Sequence, residues 1–198
     1  MSRFHFHLDR LDGTWVLRLR SEDGTNRLTG ACLLALGETI RELEHHGQAL
    51  IITGNAKFFS AGADLKEIAD LNGFAAYEFS RIGQSLMQSV EHFPAPVYAA
   101  ISGYCMGGGL DLALACHHRV TSHHALFGHR GAALGLITGW GGTQRLPRLV
   151  GKSIALQMLV AAEKISPQHA LAIGLVDGIV SDPVAEALHR IQLRKSIT

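Results

Sequence analysis

A mixed α/β fold is predicted for this chain, and three observations predict it. Short apolar runs with strand character alternate with stretches whose apolar residues recur at helical spacing. The run Val97–Ile101 leads into three consecutive glycines and then into a string of helix formers at residues 110–115. No linker, low-complexity tract or strict repeat divides the 198 residues. They therefore suit a single domain, residues 1–198, able to bury roughly 70% of the surface its unfolded chain exposes.

Residues 4–8 and 14–20 alternate apolar with polar side chains around Gly13, the pattern of a β-hairpin. Trp15, Leu17 and Leu19 share one face of its second strand. Between residues 29 and 46, Leu33, Leu36, Ile40 and Leu43 fall at helical spacing, with Thr29 placed to cap the start and Gly47 to end it. Residues 49–53 read as a short buried strand. Residues 54–68 read as a loop of small residues running into a short helix near Asp64, with the amides of Ala61, Gly62 and Ala63 left accessible. A long amphipathic helix is predicted over residues 74–93, its inner face carrying Phe74, Ile82, Leu86 and Val90.

Pro94 and Pro96 stop that helix, and Val97–Ile101 is the central strand. Gly107, Gly108 and Gly109 then sit where the next helix begins. A helix start leaves N–H groups unpaired and carries partial positive charge, which suits an anion or a polarised carbonyl oxygen. A close strand–helix contact, where a Cβ would collide, accounts for the glycines as well. Residues 117–122 and 125–128 follow as strands, and residues 131–142 as a glycine-rich loop. Helical structure beginning at Thr143 is expected to break at Pro147. Residues 152–162 form a good helix. Ser166 caps the next one, with Pro167 in its first turn and Gly174 at its end. Residues 176–180 make a short strand, and Pro183 opens a last helix that fades over residues 194–198.

The net charge is +1, no Lys/Arg run stands out, and no apolar run approaches membrane-spanning length. Neither nucleic acid nor a membrane surface is therefore expected as a partner. The first seven residues alternate like a strand and do not resemble a signal peptide. Cys32, Cys105 and Cys116 are odd in number and apolar in setting, which suits reduced core residues of a cytoplasmic protein. His117, His118, His123, His124 and His129 cluster in sequence. Neighbours on a strand point to opposite faces, so adjacent pairs rarely share an ion, and no metal site is expected.

Two stretches together resemble a known family. Residues 58–66, Phe-Phe-Ser-Ala-Gly-Ala-Asp-Leu-Lys, are similar to the first signature of the enoyl-CoA hydratase/isomerase (crotonase) superfamily, and residues 96–113 to the second. Residues 139–152 are similar to the third, and residues 166–180 match the usual continuation. The resemblance implies a crotonase-like spiral of ββα turns that binds coenzyme A thioesters and stabilises their enolate anions. It implies an oxyanion hole from the backbone N–H groups of Ala63 and Gly108, with Asp111 as catalytic acid/base. It places coenzyme A along Ala61, Gly62, Ala63, Asp64 and Leu65, as part of an acyl-CoA substrate with no separate cofactor. A homotrimer or hexamer working in fatty acid metabolism is the implied assembly and setting. The glycines fit neither a P-loop, lacking the following Lys-Ser/Thr, nor a dinucleotide fingerprint.

The family pattern is broken at three places. The hydratases of the family hold water with two glutamates; the first falls at Asp111 and the second at Gly131. Adding water across a double bond takes an acid and a base on one molecule, so isomerase- or decarboxylase-type proton transfer is favoured over hydration. Asp111 is equally placed to offset the dipole of its helix. His129 and Arg130 are candidate replacements, with a surface or structural role expected for His129. Trp140 stands where relatives carry a small residue and is expected in the core, while Tyr104 and Met106 either line an acyl pocket or pack. Finally, the C-terminal helical region that in the family supports the trimer is largely absent, with only a short tail after Pro183. The alternative function is a catalytically degenerate acyl-CoA-binding or assembly subunit.

Overall fold

The computed structural model describes residues 2, 3 and 5–195; Phe4 and the last three residues, on which parts of the first strand and the final tail were expected, lie outside the described residues. Strand β1 (Ser2–Arg3) pairs with β2 (Phe6–Leu11), which forms the expected hairpin with β3 (Thr14–Leu19). Asp12 and Gly13 both have positive φ, 48° and 73°, so the two-residue loop twists in the sense that flanking strands require. After β4 (Arg27–Leu28), Thr29 caps α1 (Gly30–Glu44) by accepting the Cys32 N–H. Leu33, Leu36, Ile40 and Leu43 are buried on that helix, as their spacing predicts.

A strand-pair rhythm follows, the spiral of ββα turns that the resemblance implies, although of its second strands the apolar pattern predicts only the one near residues 125–128. Strand β5 (Leu50–Thr53) is succeeded by β6 (Phe58–Ser60), β8 (Val97–Ile101) by β9 (Tyr104–Met106), and β10 (His118–Thr121) by β11 (Leu126–Gly128). The first member of each pair joins a seven-stranded sheet of order β1-β2-β3-β5-β8-β10-β12, where β12 is Gly178–Ile179. The second member joins a three-stranded sheet of order β11-β9-β6, all parallel. The chain therefore winds as a spiral, stepping between two sheets on each turn. The predicted loop over residues 54–68 holds β6 and also β7 (Gly62–Ala63), which pairs with β4. Such strands are too short for alternation to show.

Helices fill the remaining turns. Asp64 caps α2 (Leu65–Ala69) through the Lys66 and Glu67 N–H groups, and Asn72 caps α3 (Gly73–Glu91). Leu86 and Val90 of α3 are buried as predicted, but Phe74 is 77% exposed. It stands in the first turn, ahead of the stretch from Gly83 onward that meets the body of the protein. Helix α4 (Gly108–Ala115) is buried along nearly its whole length. The predicted loop over residues 131–142 opens with a short 3-10 turn, Gly131–Leu134. Helix α5 (Gly142–Val150) runs through Pro147 rather than ending there. The proline forgoes its own N–H bond and crowds the preceding turn, yet the helix closes beyond it with Gly151 N–H donating to the Pro147 carbonyl. Helices α6 (Lys152–Ala161), α7 (Pro167–Ala172) and α8 (Pro183–Lys195) complete the chain.

Alternation along the central strands sets up two cores. Leu50, Ile52, Val97, Ala99 and Ile101 face the larger one, with α1, α3 and α4. Ile51, Tyr98, Ala100 and Val120 face the other side, where Ala187 and Ile191 of α8 cover them. Cys32, Cys105 and Cys116 are free and buried, and burial pushes the thiols of Cys32 and Cys116 up to about 12.

Candidate active site

A cavity of about 330 Å³ opens on the side of the larger core, walled by the start of α4, by β7 and α2, by α3 and by residues 129–140. Its place follows from two loops meeting. Gly62 has a φ of +93°, a conformation that side chains rarely adopt. A Cβ built there would lie 2.6 Å from the Met106 carbonyl oxygen and 3.0 Å from the Gly108 nitrogen. Only glycine therefore lets β7 come this close to the first residue of α4.

Of the predicted site residues, Ala63, Gly108 and Asp111 all line the cavity, and so do Ala61 and Leu65. Gly62 is the buried contact behind the wall, and Asp64 is occupied in capping α2 and in pairing with Arg27 at 3.4 Å. The expectation that all three amides of residues 61–63 stay accessible is corrected for two of them. Ala61 N–H donates to the Thr25 carbonyl, and Gly62 N–H donates to Ser60 Oγ. At the other loop, Gly107 N–H donates to the Gly128 carbonyl, and the first helical bond of α4 runs from Asp111 N–H to Gly107. Gly108 thus sits in the first turn, where N–H groups have no partner inside the helix.

Asp111 is 1% exposed, in the first turn of α4, with its side chain on the cavity. Thr138 Oγ1 donates a hydrogen bond to its Oδ2, and the Trp140 N–H supports the carboxylate from the same loop. Burial nevertheless dominates, pushing the carboxyl up to about 7 against the pull of Thr138, Arg145 and Trp140. A Cβ on Gly142 would collide with Asp111 Oδ1, so this second glycine loop is shaped around the acid.

His129 departs from expectation. It is neither on the surface nor turned away: it is 4% exposed, lines the cavity, and holds Nε2 3.4 Å from Asp111 Oδ1. Its place explains this: His129 directly follows β11, whose last residue Gly128 is buried, and only Arg130 separates it from the 3-10 segment. Burial pulls its imidazole down to about 4. Arg130 and Gly131 also line the cavity, so no carboxylate stands at the second glutamate position of the resemblance.

Met106 and Trp140 form part of the wall, whereas Tyr104 lies elsewhere, its ring 5.3 Å from Phe58 and under the Lys164 ammonium. Trp140 is buried as predicted, with its ring against Gly83, Gly108 and Phe79. Thr138 was not visible in the sequence as a site residue. A threonine inside a glycine-rich loop carries no spacing signal, and only the fold brings it to Asp111.

The family profile of enoyl-CoA hydratase/isomerase matches residues 11–196. A Bacillus subtilis (strain 168) protein named a probable enoyl-CoA hydratase is 43% identical over 154 residues, covering 76% of this chain and 60% of that protein. A crotonyl-CoA hydratase of Syntrophomonas wolfei is 37% identical over 176 residues, 87% of this chain and 68% of the relative. The chain thus spans between 60% and 68% of the length of these curated relatives. Among solved structures, DspI of Pseudomonas aeruginosa superposes with a TM-score of 0.92 at 34% identity, over 97% of this chain and 75% of that one. Profile, relatives and architecture agree that the chain belongs to the enoyl-CoA hydratase/isomerase family.

Proposed function

We propose that this chain transforms acyl-CoA thioesters by holding the enolate of the thioester in an oxyanion hole made by the N–H groups of Ala63 and Gly108. The observation that carries the reading is the meeting of β7 with the start of α4, where both residues line one cavity beside Asp111. When a proton leaves or joins the carbon next to a thioester, negative charge gathers on the thioester oxygen. Donors already aimed at that oxygen need not reorganise, and each is worth roughly 3 kcal/mol of barrier. The lining residues Ala61, Ala63 and Leu65 are small or apolar and suit the pantetheine arm of coenzyme A. Gly62 and Asp64, also expected along coenzyme A, would act by shaping that edge. No cofactor beyond the coenzyme A of the substrate takes part.

Asp111 is the acid/base of this reading. A carboxyl titrating near 7 is poised to take a proton from carbon and return it at similar cost. With Gly131 at the second carboxylate position, proton transfer of isomerase or decarboxylase type is favoured. Hydration is the second reading, and His129 supports it by placing another proton-handling group against Asp111. A cytoplasmic homotrimer or hexamer belongs to the same proposal. Exposed Leu156 and Val160 on α6 offer apolar surface for assembly.

The test is turnover of 3-enoyl-CoA, crotonyl-CoA and malonyl-type CoA esters by purified protein. Turnover of at least one is expected, and Asp111→Asn should lower kcat by about a hundredfold to ten-thousandfold. Tight binding of these esters with no turnover of any would instead identify an acyl-CoA-binding or assembly subunit.

A further inference from the structure

Two buried polar atoms face each other in this cavity without a hydrogen-bond partner. They are Asp111 Oδ1 and His129 Nε2, 3.4 Å apart, on side chains 2% and 5% exposed. Unsatisfied atoms of this kind are costly, and both are on titratable groups that can exchange a proton. The other carboxylate oxygen is already committed, since Oδ2 accepts the Thr138 hydroxyl. We infer that Asp111 and His129 hold one proton in common between Oδ1 and Nε2, so that His129 acts as the proton partner of the catalytic carboxyl.

The inference rests on the reading of this cavity as the reacting site, but the arrangement can be tested without it. With one shared proton the pair is electrically neutral whether it stands as carboxylic acid and imidazole or as carboxylate and imidazolium. Neutrality is what an apolar, water-poor setting favours. Burial raises the acid and lowers the imidazole, and both shifts keep that single proton in the pair over a broad range of pH. Among the described residues, the surroundings do not supply another proton donor of the right kind. Arg145 of α5 faces Asp111 but is tied to Glu91 of α3, with Nη2 2.6 Å from its carboxylate. Cys105 of β9 keeps its proton, because burial pushes the thiol far up. Arg130 lines the cavity beside His129, and Asp64 is turned to Arg27.

The chemical consequence is a base and an acid in one neutral unit. When the carboxylate takes a proton from the acyl chain, the electron pair of the broken C–H bond moves into the thioester enolate. With the shared proton on Nε2, Asp111 then carries the new proton as a carboxylic acid beside an imidazolium whose charge offsets that of the enolate, until a proton returns to carbon, with nothing oxidised or reduced. His129 acts through Asp111 and is a positioning residue, supplying what the glycine at position 131 cannot.

Nitrogen-15 NMR of histidine-labelled protein, alongside infrared spectroscopy of carbon-13-labelled aspartate, tests this in the absence of substrate. Signals of His129 and Asp111 are assigned by their loss in His129→Gln and Asp111→Asn. The His129 Nε2 signal is expected to move at the pH where the Asp111 carboxyl titrates, and to lose that movement in Asp111→Asn. A His129 signal that stays flat while Asp111 titrates in the native protein overturns the inference, and that measurement needs no variant to be active. In turnover, His129→Gln should reduce kcat/KM about a hundredfold or more and turn a two-limbed pH profile into a one-limbed one. A merely structural histidine would lower the rate while leaving both limbs, and that result also overturns the inference. Coupled titration in a protein that turns over no thioester would leave the proton pair standing and remove the enzymatic reading instead.

Discussion

Burial acts with opposite sign on the two titratable groups of the cavity. Asp111 loses its proton near 3.8 in an unfolded chain and near 7 in the folded one. The folded state therefore binds more protons across that window, and stability falls as pH rises through it. His129 runs the other way. Its ordinary value of 6.5 drops to about 4, so the folded state binds fewer protons, and stability is lost as pH falls from 6.5 toward 4. Over the shared window the two slopes oppose each other, and the native protein should show a nearly flat stability. Removing one partner exposes the other. Urea unfolding of Asp111→Asn should show stability rising by about 3 kcal/mol from pH 4 to 6.5, and His129→Gln should show a fall of similar size. At this scale the sequence was legible only in part. Asp111 stood out through the family's first glutamate position and His129 only as a candidate replacement expected to point away, whereas Thr138 did not, because which way a loop residue points depends on neighbours distant in sequence.

The elements that matter most are among the shortest. β7 is two residues long, yet it sets the distance between the 61–65 loop and the start of α4. Adding one methyl there should separate them. Gly62→Ala would meet the Met106 carbonyl and the Gly108 nitrogen, at a backbone angle that already disfavours a side chain. The expected cost is about 1–3 kcal/mol of stability, from the forced backbone shift and overpacking together. On the proposed function, turnover should fall by more than that stability loss alone explains, because the Ala63 and Gly108 N–H groups would be moved apart. Thermal unfolding and kcat measured on the same sample separate these effects. Long elements such as α1 and α3 could be read from apolar spacing, since many residues repeat one signal. β6, β7 and β9 could not, because two or three residues give no period to detect. Helix α5 shows the related error, where a local rule about proline lost to a helix held by its packing.

For the whole molecule, the spiral separates support from chemistry. One face of the seven-stranded sheet packs on the core that carries α4 and the cavity, and the other is sealed by α8. Ile191→Ala should therefore cost about 2–4 kcal/mol in urea unfolding while leaving the titration of Asp111 unmoved. A change in that titration would show that the two faces are coupled. The α/β class and the order of the main elements were legible because each rests on many residues. The alternation of strand pairs between two sheets was not, since it appears only when the turns are stacked. One wall of the cavity has a practical consequence. The chain contains just two indoles, and Trp140 borders the cavity while Trp15 stands on the hairpin near the His46 ring. With Trp15→Phe, the tryptophan emission of the protein would come from the cavity wall alone, giving an optical reporter of occupancy without any attached dye.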